Sequence, residues 1–152
     1  MKKREARKED LNALLELYSH YNAEPESADE INSHVISVWE EILTDKNHRV
    51  LFIEVDSGAG LKPVSTCVLL LVPNLTHDTR PYAIVENVIT HRDYRKKGYG
   101  KAVLDYAKEI AESHNCYKIM LATGRKDEAT LRFYENAGYN RNDKTAFIQW
   151  FK

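Results

Sequence analysis

Tyr94-Arg95-Lys96-Lys97-Gly98-Tyr99-Gly100-Lys101 sets four basic side chains around two of the six glycines of this chain. A basic run usually marks a solvated face or a nucleic-acid patch. Glycines inside it point instead to something that approaches the backbone closely. The flanks decide what the run belongs to. Upstream, Tyr82 to Thr90 is an apolar, β-rich stretch. Downstream, from about Gly98 to His114, Val103, Ala107, Ile110 and Ala111 fall on one face of a helix. Tyr117-Lys118-Ile119-Met120-Leu121-Ala122 is strand-like again. The unit from Tyr82 to Ala122 is therefore a strand–helix–strand crossover, which implies a parallel strand pair.

The run thus joins a strand to a helix N-terminus, where unpaired amides and a partial positive charge suit a phosphate. Two familiar phosphate loops do not match. Gly100-Lys101 is followed by Ala102, and no glycine stands five residues before Gly100, so G-x-x-x-x-G-K-[ST] fails. The dinucleotide pattern G-x-G-x-x-G fails because Val103 occupies its third glycine.

Outside this unit, Leu11, Leu14, Leu15 and Tyr18 mark an amphipathic helix. Ser27-Ala28-Asp29-Glu30 has the form of a capping box, with Ile31, Val35, Val38 and Ile42 as the face of a second helix ending near Leu43. Val50 to Val55 and Val64 to Val72 read as a hairpin around Asp56-Ser57-Gly58-Ala59-Gly60. A helix is expected from about Asp127 to Ala137 with Gly138 as its cap, and a final strand from Thr145 to Phe151. This order fits one α/β domain over residues 1–152, a mixed sheet with helices on both faces.

The formal net charge of −1 argues against a nucleic-acid coat or a membrane-surface protein. No signal peptide or membrane-length apolar run is visible. Cys67 and Cys116 lack C-x-x-C spacing, which suits reduced thiols in a cytoplasmic protein. The six histidines show no ligand spacing, so no metal is expected.

Arg95-x-x-Gly98-x-Gly100 between a strand and an amphipathic helix resembles the signature of the GNAT superfamily of acetyl-CoA-dependent N-acetyltransferases. Ala129-Thr130-Leu131-Arg132-Phe133-Tyr134-Glu135-Asn136-Ala137-Gly138-Tyr139 is similar to the family's A-x-x-F-Y-E-x-x-G-F segment, at a fitting separation. The resemblance is specific from about Tyr82 to Tyr139. It implies a mostly antiparallel sheet with a central parallel pair and about four helices. It also implies acetyl-CoA as co-substrate. Amides of Arg95, Lys96, Lys97, Gly98, Tyr99, Gly100 and Lys101 would take its pyrophosphate, with Val88, Ile89 and Thr90 along its pantetheine. Where many relatives place a cofactor-contacting Asn, this chain has Lys126, and the neighbouring Asp127 could substitute.

Acetyl transfer to an amine needs a base, a polarised thioester carbonyl and a proton for the departing thiolate. A strand amide near Val88 could polarise the carbonyl. Glu86 is the candidate base, because its apolar strand should desolvate it and raise its pKa. By resemblance it also matches an acidic residue of the glucosamine-phosphate and aminoalkylphosphonate branches. Tyr134 is, by resemblance, the general acid. His91, at the strand end, is a lesser candidate for a water-linked base.

The acceptor, a primary amine of a small molecule, should meet the loops at 20–26 and 73–81. Glu24, Glu26 and Asp78 would suit a cation, and His77 and Arg80 an anion. The apolar stretch Thr145 to Phe151 could be a buried strand or half of a homodimer contact. Competing readings are a non-catalytic acyl-CoA-binding module, a protein N-acetyltransferase, and an RNA-binding module. The last is disfavoured by the neutral overall charge.

Overall fold

The computed structural model describes residues 1–21 and 31–152. The chain runs β1 (Lys2–Glu5), α1 (Leu11–Tyr18), α2 (Ser33–Thr44), β2 (His48–Asp56), β3 (Leu61–Val72), β4 (Tyr82–Thr90), α3 (Tyr99–Ser113), β5 (Ile119–Leu121) and α4 (Glu128–Asn136). The strands form one sheet in the order β1-β2-β3-β4-β5. All pairs are antiparallel except β4 with β5, the parallel pair implied by the crossover through α3.

Strand alternation divides the core into two layers. Val50 and Phe52 of β2, with Val68, pack under Leu14, Leu17 and Trp39 of α1 and α2. Leu51, Ile53 and Val55 point the other way, against Ala102, Val103, Leu104 and Ala107 of α3. This is the period-two patterning of a sheet buried on both faces. Fully burying one such side chain contributes about 1.5–3 kcal/mol.

Several expectations are corrected. β1 went unread, because its four residues, KKRE, carry no apolar alternation. It is held by charge instead. Arg4 donates to Asp10 at 2.6 and 2.8 Å and pairs with Glu54 at 2.7 Å. The α2 N-cap is Asn32, whose side chain accepts from His34 and Val35 amides; Ser27–Glu30 lie outside the described residues. The fully buried α2 side chain is Trp39, which donates to Lys8 O at 3.0 Å, with Ile42 and Leu43 partly buried on the same cluster, while Ile31 and Val38 are exposed.

Thr145 to Phe151 forms no strand among the described residues. The parallel pair consequently stands at one edge of the sheet and not at its centre.

Candidate active site

The site is built on β4. Against β3, Thr66 pairs with Ile89 and Val68 with Glu86, so Asn87 and Val88 together face the single residue Cys67. This is a β-bulge, and Asn87 takes the left-handed φ of 51° that it requires. Asn tolerates this region better than most side chains. Its presence inside an apolar strand was the signal that could have revealed the bulge. On the other side, β4 pairs with β5 only through Ala83, Ile84 and Val85. From Glu86 to Thr90 that edge of β4 has no strand partner among the described residues, so Val88, Ile89 and Thr90 offer backbone to an extended ligand.

Downstream, β4 leads through a short 3-10 turn, Arg92–Tyr94, into α3. Among the described residues the amides of Lys96 through Lys101 find no hydrogen-bond acceptor. Gly98 is the α3 N-cap with φ 86°, a left-handed turn that aims the following amides out of the loop. The two glycines serve different ends. A Cβ on Gly98 would meet nothing within 4 Å, whereas one on Gly100 would lie 3.1 Å from Phe133 Cζ and 3.2 Å from Thr90 Oγ1. Gly98 is there for its dihedral, and Gly100 to let α3 approach α4 and β4.

The basic side chains of this loop are mostly occupied locally. Arg95 turns inward, donating to Thr90 O at 3.1 Å and to His20 O. Lys97 donates to Asp93 O at 2.9 Å, and Lys101 pairs with Asp105 at 2.7 Å. Lys96 is exposed with φ 59°. Tyr99 packs on the α3-side core. The amides, rather than the side chains, are what this loop presents.

The Tyr134 phenol feels the charge of the Glu86 carboxylate. Burial, reinforced by Tyr21 and Glu86, pushes that phenol up, so it stays protonated. Glu86 itself is exposed. Its apolar neighbours in sequence do not bury it: buried and outward positions alternate along β4, and Glu86, in register with Val68, is the outward position after the buried Val85. Two tyrosines were missed. Tyr18, read only as helix stripe, reaches Asn87 at the bulge, and burial pushes its phenol up. Tyr21 lies near Tyr134. Burial pushes the Cys67 thiol up to about 12, which keeps it inert.

Other expected roles change. Asp127 caps α4, accepting from the Thr130 amide at 3.0 Å, the Thr130 hydroxyl and Arg125 Nε at 3.0 Å. Its carboxylate caps the helix start. Arg80 donates to the Asn115 and Cys116 carbonyls, both at 3.1 Å, and His77 stacks on Tyr117 at 3.9 Å. They brace the loop at 73–81 against the α3–β5 turn. His91, just beyond the end of β4, is buried at 7% exposure. Glu24 and Glu26 lie outside the described residues.

A strand followed by a run of amides at a helix start is the arrangement the sequence pattern implied; the bulge is an addition of the structure. The model of the acetyltransferase (GNAT) family matches residues 11–139. The chain belongs to the GNAT acetyltransferase family. A solved structure from Agrobacterium tumefaciens str. C58, assigned as an acetyltransferase, is 39% identical with a TM-score of 0.87, over 99% of this chain and 100% of that one. A glucosamine 6-phosphate N-acetyltransferase of Trypanosoma brucei brucei is 32% identical over 81 residues, 53% of each chain. The match thus spans about half the length of that relative. Glucosamine-6-phosphate N-acetyltransferase from Arabidopsis thaliana, 20% identical with a TM-score of 0.81 over 99% and 98% of the two chains, shares the fold. Enzymes of this family generally use acetyl-CoA. No helix among the described residues is long and apolar enough to cross a membrane.

Proposed function

We propose that this protein, acting as one domain over residues 1–152, transfers the acetyl group of acetyl-CoA to a primary amine of a small molecule in a ternary complex. The observation that carries this reading is the run of unpaired amides from Lys96 to Lys101, one strand-end away from the bulge at Asn87. The pyrophosphate sits on those amides, and pantetheine lies along the free edge of Val88, Ile89 and Thr90. The thioester carbonyl then reaches the bulge, where the Val88 amide polarises it.

Glu86 accepts a proton from the substrate ammonium, directly or through water, to give the neutral amine that attacks, or it orients the amine. The amine forms the new C–N bond, and collapse of the tetrahedral intermediate breaks the C–S bond. Tyr134 donates to the departing thiolate. Its raised pKa lies above that of an ordinary thiol, about 8.5, so a hydrogen bond to the developing charge precedes any full transfer. An amino sugar phosphate is the acceptor class to try first, given the named activity of the trypanosomal relative.

The protein acts as a homodimer in this reading. Phe147, Ile148, Trp150 and Phe151 are 93, 64, 87 and 88% exposed. They lie beyond the open edge of β5, beside a cavity of about 560 Å³ between α3, β5 and α4. Exposed aromatics next to an unpaired strand edge favour a second copy. The location expected is the cytoplasm.

A thiol-release assay with acetyl-CoA tests the activity across glucosamine 6-phosphate, an aminoglycoside, a polyamine and a peptide N-terminus. Turnover with a small amine is expected. Turnover with the peptide alone would make it a protein acetyltransferase, and acetyl-CoA binding with no turnover a non-catalytic module. No binding of acetyl-CoA would refute the reading.

A further inference from the structure

His20 and His91 form a buried pair outside the proposed chemistry, with ring centroids 4.1 Å apart. Each is under a tenth exposed. With Glu16 they form a group whose candidate ligand atoms lie within 4.8 Å of one another. The hydrogen bonds speak against a metal there. His20 Nδ1 accepts from Arg92 Nε at 3.2 Å, and His91 Nδ1 accepts from the Asp93 amide at 3.2 Å. Arginine and backbone nitrogens are obligate donors, so both rings carry their hydrogen on Nε2. Neither Nε2 has a lone pair to offer a cation. Glu16, 3.9 Å from His91 Nε2, is paired with Lys62.

What the pair does instead is join two elements. The Arg92 guanidinium meets the His20 ring, Arg95 meets the His20 carbonyl, and the His91 ring packs on His20. All three partners come from the loop between β4 and α3. His20 lies just beyond α1, two residues after Tyr18, whose phenol lies at the bulge.

We propose that His20 is a positioning residue that receives Arg92 and Arg95 and thereby sets the shape of the amide loop that takes the pyrophosphate. This rests on the reading of Lys96–Lys101 as the coenzyme A cradle. The inward Arg95 is then a strut of the loop and not a phosphate ligand. Cofactor binding is coupled to the end of α1, and through it to the wall carrying Tyr18. Burial, then the neighbouring rings and guanidinium groups, holds both histidines below their usual range. This keeps Nδ1 of His20 available to accept. The charged groups facing the pair are Glu16, Lys62, Asp93, Arg92 and Arg95.

The test is calorimetric binding of coenzyme A to the full chain, with melting temperatures recorded alongside. His20→Ala should weaken affinity about fivefold to tenfold, the range of one lost hydrogen bond. His20→Asn, whose Oδ1 can replace Nδ1 as acceptor, should return it to within about twofold of wild type. Wild-type affinity should also fall more steeply than that of His20→Asn as the pH is lowered, since only the histidine loses its acceptor. In a double-mutant cycle with the exposed Arg92, His20→Ala and Arg92→Leu should be non-additive. Unchanged affinity in His20→Ala, equal weakening in His20→Asn, or additivity in the cycle would overturn the assignment. Absence of binding by the wild-type chain would instead sink the cradle itself.

Discussion

Gly100 and Phe133 meet with no room for a side chain between them, since a Cβ on Gly100 would lie 3.1 Å from Phe133 Cζ. The contact links the start of α3 to α4 beside Tyr134, so the loop that would take phosphate and the phenol that would meet the thiolate share one packing point. Gly100→Ala should push Phe133 aside by a few tenths of an ångström and lower kcat more than it weakens coenzyme A. A kinetic comparison with Gly98→Ala checks this. There a Cβ finds open space but a φ of 86°, which costs about 1 kcal/mol. Gly98→Val cannot hold that dihedral and should abolish coenzyme A binding by turning the amides away. Normal binding in calorimetry would refute the cradle.

Tyr134→Phe should lower kcat at least tenfold, in keeping with the loss of a general acid, and leave coenzyme A affinity largely intact. The raised phenol stays protonated through neutral pH, so no activity change is expected there from its own ionisation. Unchanged kcat would remove Tyr134 from the chemistry.

Glu86→Gln should lower kcat/KM at least tenfold if the carboxylate accepts the amine's proton. Glu86→Asp should recover part of it. If Glu86 only orients the amine, Glu86→Gln should raise KM and spare kcat, a distinction that steady-state kinetics resolves.

Arg4→Met should destabilise the fold by about 3–5 kcal/mol, because it strands the carboxylates of Asp10 and Glu54 in their buried setting. Burial pushes the Asp10 carboxyl up, but Arg4 and the Arg7 amide overcome this and hold it below the usual range. Its stabilising contribution is complete above the unfolded value of about 3.9 and is lost as pH falls through the lower folded value. Acid unfolding followed by circular dichroism should show this loss in wild type, and a smaller one in Asp10→Asn.

Trp150→Ser with Phe151→Ser should turn the proposed homodimer into a monomer without unfolding it, as read by light scattering. A wild-type monomer would refute the homodimer.

Much of this was legible because it is local. The periodicity of Tyr82–Thr90 and of Val103 to Ala111 dictated a strand, a helix and a crossover, and the glycines marked where α3 had to begin. The Arg95-x-x-Gly98-x-Gly100 motif and the segment around Tyr134, at their fitting separation, carried the resemblance to the family. Position within the fold was not legible. Asn87 becomes a bulge only because β3 sets Cys67 alone opposite two residues. Arg95 turns inward only because the end of α1 brings the His20 carbonyl to it. Glu86 is exposed despite apolar neighbours, and Asp127 caps its own helix. Sequence alone determined which elements form and which backbone amides are left unpaired, since period, caps and turns act within a few residues. Tertiary structure decided where the side chains between those elements point, because that depends on partners tens of residues away.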